Sequence, residues 1–209
     1  MEVLHIPYSP KLYCRKHCGQ ISIYKFTQNT AGPKVDIFAC HNNETLKFKF
    51  RICEPIAKVK NLKPDFAQEI NKDSTVGILL QPYVNDPRNM MLRVNATGAY
   101  YISFGEWYWN RADCTFEDNR FIEISNCYKK LLKTNSPFWE ISVKIHLPLL
   151  FRFINLKEWE YSPGTVMNGN FLKVNNLPKS ECHFGMWKEI KRNIFDCYKS
   201  RMLGKFILE

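Results

Sequence analysis

The clearest alternation of apolar and polar residues runs Trp139-Glu-Ile-Ser-Val-Lys-Ile-His-Leu147 and stops at Pro148. Successive strand side chains point to opposite faces, so this pattern predicts a strand with one buried face. Proline cannot donate to a ladder and ends it. Residues 21–26, 35–40 and 45–52 behave in the same way, and Asn42-Asn43 joins the last two as a hairpin. Further strands are predicted at 73–82, 89–95 and 99–104, the first two separated by a turn rich in Asn, Asp and Pro. Residues 121–125 pair with 139–147 across a charged stretch at 129–133, and 169–174 and 205–208 complete the set. Residues 54–72, with two prolines, read as a loop, and 151–158 fit neither period. Trp187, Ile190 and Ile194 have helical spacing, which predicts a short helix within 187–197. Many short strands with turn signals and little helix predict an all-β antiparallel β-sandwich, one domain over 1–209 with a lead-in at 1–34.

Composition agrees with a packed core: of 209 residues, 45% are hydrophobic and 14% aromatic. The longest apolar run, near 147–154, contains Pro148 and Arg152 and is too short to span a bilayer. Met1-Glu-Val-Leu-His-Ile-Pro-Tyr8 lacks the basic and apolar regions of a signal peptide. A cytoplasmic location is expected if the chain is complete, and a secreted or periplasmic one if a signal has been removed. The eight cysteines (14, 18, 40, 53, 114, 127, 182 and 197) permit four disulfides without requiring them, and reduced thiols are expected. The net charge of +10 is spread out, with Lys129-Lys130 and Lys191-Arg192 the densest runs. It reads as a solvated basic surface, not a nucleic-acid site.

Catalytic chemistry finds little support. Cys14, His17 and Cys18 make half of a zinc site, but Cys182 and His183 are not a proper second pair. None of the five histidines stands beside a recognisable nucleophile. Glu106, Asp113, Glu117 and Asp118 are acid candidates for glycoside hydrolysis by density alone.

The strand at 139–147, then Gly169-Asn-Phe-Leu-Lys-Val174, His183-Phe-Gly-Met-Trp187 and Leu203-Gly-Lys-Phe206 resemble, in order, the C-terminal half of the family 9 carbohydrate-binding modules. Asp73-Ser-Thr-Val-Gly-Ile-Leu-Leu80 and Arg93-Val-Asn-Ala-Thr-Gly98 extend the resemblance to about residues 35–208. It implies a β-sandwich that binds a mono- or oligosaccharide without catalysis, in the context of polysaccharide breakdown. Aromatic side chains would stack on the sugar and polar ones would bond its hydroxyls. The residues it implies are Arg93, Asn95 and Asn170 as polar ligands and Phe195 as one aromatic. The cluster Trp107, Trp109 and Arg111 could supply a platform and a hydroxyl donor, with one Trp plugging the end of the sandwich as the structural alternative. Trp159 and Tyr161 form a weaker pair, whereas Trp139 and Trp187 are expected in the core. Two family features are missing: the aromatic expected at Asn71 and the acid expected at Gly77. No cofactor is expected; calcium is conceivable by resemblance, with oxygens near Asn85-Asp86. The rival readings are an interaction module of the same fold that docks a protein partner, and a hydrolase component.

Overall fold

The computed structural model describes residues 2–27, 31–55, 70, 73–114, 120–127, 131, 133–155, 162–176 and 181–209. Asn71, Glu117, Asp118, Lys129, Lys130, Trp159 and Tyr161 lie outside the described residues.

Two sheets pack face to face. The five-stranded sheet contains β2 (His17–Ile21), β4 (Val35–His41), β5 (Thr45–Ile52), β10 (Ile122–Asn126) and β11 (Trp139–His146), in the order β10-β11-β5-β4-β2. The nine-stranded sheet contains β1 (Val3–Ile6), β3 (Ile23–Tyr24), β6 (Thr75–Gln81), β7 (Asn89–Asn95), β8 (Tyr100–Gly105), β9 (Ala112–Asp113), β12 (Val166–Asn175), β13 (His183–Met186) and β14 (Gly204–Leu208). Its main order is β1-β14-β12-β6-β7-β8-β9, and β13 and β3 extend it beside the second half of β12. All pairings between the named strands are antiparallel except that of β1 with β14.

The two sheets differ in burial as their sequences do. β11 alternates buried and half-buried positions along its whole length, because only one face meets the core. β6, with its near-continuous Val-Gly-Ile-Leu-Leu run, is buried at every position. Its inner face meets the five-stranded sheet, and residues of the C-terminal segment cover part of its outer face. Phe171 is the hub of the inner layer. Its ring lies 5.3 Å from Phe48, 5.5 Å from Phe50 and 5.0 Å from Phe206, with Trp187 and Phe206 5.7 Å apart. Trp139 is fully buried, as expected. A Cβ on Gly169 would stand 2.1 Å from the Phe206 ring, so the close strand approach that begins the Gly169-Asn-Phe run requires glycine.

Three expectations need correction. The strand predicted at 21–26 is two strands, β2 and β3, which belong to different sheets and are divided at Ser22. The lead-in therefore contributes β1, β2 and β3 to both sheets. The ambiguous stretch begins inside helix α1 (Leu147–Phe153), whose N-cap is His146 and which has Pro in its first turn. The helix predicted within 187–197 is absent. Only a 3-10 turn, Ile194–Tyr198, forms, and the Asn193 side chain caps it by accepting from the Phe195 and Asp196 amides. Trp187 packs into the inter-sheet core while Ile190 joins the cluster on the outer face, so residues with helical spacing do not share one face.

A charged network is buried at one end of β12. Lys173 is fully buried; its ammonium donates to Ser74 Oγ, lies 3.2 Å from His183 Nε2, and sits 3.4 Å from Glu54 Oε2. That carboxylate also accepts from Ser74 Oγ at 2.5 Å and from the Trp139 indole at 3.1 Å. Burial pushes Glu54 up, but the Lys173 charge and these two hydrogen bonds outweigh it and hold the carboxyl below its usual range. Burial and then the Lys173 charge push His183 down to about 4.

The cysteines are free thiols, and Cys14 Sγ lies 2.7 Å from Cys40 Sγ. The contact couples the two thiols, pushing Cys14 up and Cys40 down. A glutathione-disulfide buffer is therefore expected to oxidise this pair to a disulfide, itself being reduced to thiols. Closing a loop between residues 26 apart should stabilise the fold by about 3 kcal/mol. Thermal melting should rise by roughly 10 °C relative to the reduced protein. Cys14→Ser should abolish the rise, and an unchanged melting temperature with the bond formed would refute the expectation.

Candidate functional site

A cleft of about 520 Å³ opens on the outer face of the nine-stranded sheet. That volume is in the ordinary range for small-molecule sites. Strand alternation builds its floor. In the β7–β8 ladder Met91 pairs with Ser103 and Arg93 with Tyr101, and all four side chains line the cleft. One wall is the 3-10 turn, through Ile194, Phe195, Cys197 and Tyr198. The β8–β9 hairpin loop, through Tyr108 and Arg111, packs against that turn and lines the cleft with it, as do Phe184 and Asn176. Gly105 lets the hairpin fold tightly, since a Cβ there would meet the Asn110 carbonyl at 2.7 Å and Arg111 Cα at 2.9 Å.

Arg111 holds this arrangement together. Its Nε donates to Ser103 Oγ at 3.0 Å. Its Nη1 donates to Asn89 Oδ1 and the Gly105 carbonyl, both at 3.1 Å. Its Nη2 donates to the carbonyls of Asn89 at 2.8 Å and Ser103 at 2.9 Å. A guanidinium has five N–H donors, so all of them are committed to protein acceptors. The role of hydroxyl donor expected for Arg111 is corrected accordingly. The cation also lies 4.6 Å over the Tyr198 ring and fixes that wall. Burial pushes Arg111 down from its ordinary value and pushes the Tyr198 phenol and the Cys197 thiol up, each to about 12.

The aromatic residues at the mouth form two groups. Tyr108 packs 4.4 Å from Phe195 and 5.8 Å from Tyr198. Trp107 and Trp109 stack at 6.0 Å with their planes 5° apart, and Lys199 lies 5.7 Å over Trp107. Trp109 is 78% exposed, Tyr108 52% and Phe195 50%. Neither tryptophan plugs the sandwich.

Arg93, Arg111 and Phe195 thus come together, and Trp107 and Trp109 flank them on the same loop as Tyr108. Asn95 and Asn170 do not line the cleft. Both are fully buried and serve the backbone. Asn95 donates to Asp73 Oδ2 at 2.8 Å and accepts from the Thr97 and Ala99 amides and the Thr97 hydroxyl. Asn170 donates to the Lys188 carbonyl and accepts from the Lys188 and Phe171 amides. The sequence reading missed Tyr101, Ser103, Tyr108 and Tyr198. The register of 99–104 against 89–95 could have found the first two, since cross-strand neighbours of Arg93 share its face. Nothing in the pattern marked Tyr198.

Other expected chemistry is dispersed. Cys14 meets Cys40, and His17 lies 3.3 Å from Asp36. Cys182 and His183 adjoin or lie in the other sheet. Asp86 is held by Arg88. Among the described residues no group of three His, Cys, Asp or Glu is placed to hold a metal ion. Among them, too, no helix is long and apolar enough to cross a membrane. Of the acid candidates described, the Asp113 carboxylate accepts from the Tyr101 hydroxyl.

No protein-family model matches the sequence, and no curated protein does. Solved structures do match it. A candidate carbohydrate-binding protein from Bacteroides uniformis superposes with a TM-score of 0.78 at 17% identity, covering 100% of this chain and 99% of that one. A family 9 carbohydrate-binding module from Caldicellulosiruptor kristjanssonii in complex with glucose gives 0.64 at 12% identity, covering 100% and 96%. The module in complex with cellotriose gives 0.63 at 11%, covering 100% and 94%. This chain therefore has the β-sandwich fold of the family 9 carbohydrate-binding modules.

Proposed function

We propose that this protein is a non-catalytic carbohydrate-binding protein that holds a saccharide in the cleft over Arg93 and Tyr101, against the packed rings of Tyr108 and Phe195. The observation that carries this reading is the exposed aromatic pair at the mouth of a polar-floored cleft. A pyranose presents an apolar C–H face to such rings and hydroxyls to the floor, where Arg93, Tyr101 and Asn176 stand. The shared fold, with solved relatives in complex with glucose and cellotriose, supports the same class of ligand. Asn95 and Asn170 are left as structural residues, and Trp107 and Trp109 extend the platform for a longer chain.

Calorimetry against a panel of mono- and oligosaccharides tests the proposal. Phe195→Ala and Tyr108→Ala should each weaken binding by about tenfold, the loss of roughly 1 kcal/mol or somewhat more of stacking. Both side chains are about half exposed, so melting temperature should hardly change. A folded protein that binds no saccharide would refute the reading.

A further inference from the structure

We infer that the cleft selects an acidic saccharide, a uronic acid or a chain containing one, whose carboxylate meets Arg93. This rests on the sugar-binding reading above and deepens it. Among the described residues, the side chains lining the cleft include two guanidinium groups and no carboxylate. The three other acidic groups that could offset them are neutral: burial pushes the Tyr101 and Tyr198 phenols and the Cys197 thiol up to about 12. Arg111 contributes charge alone, because its five donors are spent. Arg93 lines the floor itself, close enough to Cys197 and Tyr198 to act on both electrostatically, and places a second positive charge there.

The position beneath it points the same way. Gly77 is the cross-strand neighbour of Arg93 on β6 and adds no side chain to the face that carries the cleft. A Cβ at Gly77 would make only ordinary contacts, at 3.4 Å to Leu172 Cβ, 3.5 Å to the Leu92 carbonyl and 3.7 Å to Met91 Sδ. Space does not explain the missing carboxylate. A neutral sugar needs acceptors for its hydroxyl protons, and a carboxylate is the strongest acceptor. A floor whose described residues carry guanidinium and hydroxyl donors and no carboxylate suits a ligand that brings its own negative charge.

The surroundings extend the field. Lys191 and Arg192 precede the 3-10 wall and Arg201 follows it. Two of the acids nearby are ion-paired, Glu189 with Lys25 and Asp196 with Lys199 at 2.5 Å, and the Asp113 carboxylate at the rim accepts from the Tyr101 hydroxyl. With a net charge of +10, the protein should also raise the local concentration of anionic chains.

The test compares matched pairs, glucose with glucuronate and galactose with galacturonate, and cellotriose with trigalacturonate, by calorimetry at low and high salt. The uronate should bind at least tenfold tighter than its neutral partner, and the preference should narrow as salt rises. Gly77→Glu should cost the uronate tenfold or more while neutral-sugar affinity does not fall, and Arg93→Ala should cost the uronate at least tenfold more than it costs its neutral partner. Equal binding of neutral and acidic partners would overturn this inference and leave the saccharide reading intact. Binding of neither would overturn both. Uronate binding untouched by both variants, each shown folded by its melting curve, would remove Arg93 from the site. Acetate binding as tightly as glucuronate would mean that the cleft reads a bare anion and not a sugar acid.

Discussion

Replacing Lys173 by Met should lower unfolding stability by about 3–5 kcal/mol, because it leaves Glu54 buried without its cation. The direction follows from what remains. The Ser74 hydroxyl and Trp139 indole still donate to the carboxylate, but neither supplies a full charge. Adding Glu54→Gln to Lys173→Met should restore much of the loss, since the amide oxygen can still accept both donors and no charge stays buried. Urea denaturation of the wild type, both single variants and the double variant gives the coupling energy, and an additive result would refute the pairing. The same network predicts acid sensitivity. Folded His183, pushed down to about 4, stays neutral, whereas the unfolded side chain gains a proton below about 6.5. The unfolded state then binds more protons, so stability is full above that pH and falls as pH drops from 6.5 toward 4. Glu54, held low, adds a loss below the ordinary carboxylate range. His183→Gln should flatten the upper part of this profile and leave the lower part.

Arg111→Lys should cost about 3 kcal/mol and empty the cleft together. Lysine cannot reach the five acceptors at once, and the freed carbonyls of Asn89, Ser103 and Gly105 lose a charged donor. Partial entry of water keeps the total below the sum of the single losses. The Tyr198 wall loses its cation–π partner at the same time. Saccharide affinity should therefore fall at least tenfold in parallel with stability. In Phe195→Ala the two quantities separate, with affinity falling alone. Paired melting and calorimetric measurements on the two variants distinguish a residue that shapes the site from one that touches the ligand. An Arg111→Lys protein with normal stability would refute the structural role.

The fold was legible where period and burial coincide. The alternation in 139–146 and the Asn42-Asn43 turn gave β11 and the β4–β5 hairpin almost to the residue. The apolar run at 73–82 was read as a strand, and β6 is one, buried at every position. Reading failed where one local pattern serves two layers. Trp187 and Ile190 are spaced as on a helix but go to opposite faces of the sheet. The break at Ser22 moves the chain between sheets within one apolar stretch. For the site, alternation correctly put Arg93 and Asn95 on one side of β7, but not that a turn would consume the Asn95 amide. Arg111 was found as a basic residue among aromatics, yet its function depends on the acceptors that the hairpin brings around it. Short-range pattern does not carry that information.

The parallel pairing of β1 with β14 joins the most distant strands in the sequence. Its backbone bonds continue through the Lys205 amide to the Glu2 carbonyl and the Glu209 amide to the Ile6 carbonyl. On the ribosome, β1 is made before the other named strands and must wait for all of them before its partner exists. Until then Leu4 and Ile6 have no place in a finished sheet, and the β12 edge that β14 covers stays open to other strands. Folding from the nascent chain should therefore complete late. A loss of 204–208 should leave a product that unzips at its N-terminal edge as well, far in sequence from the cut.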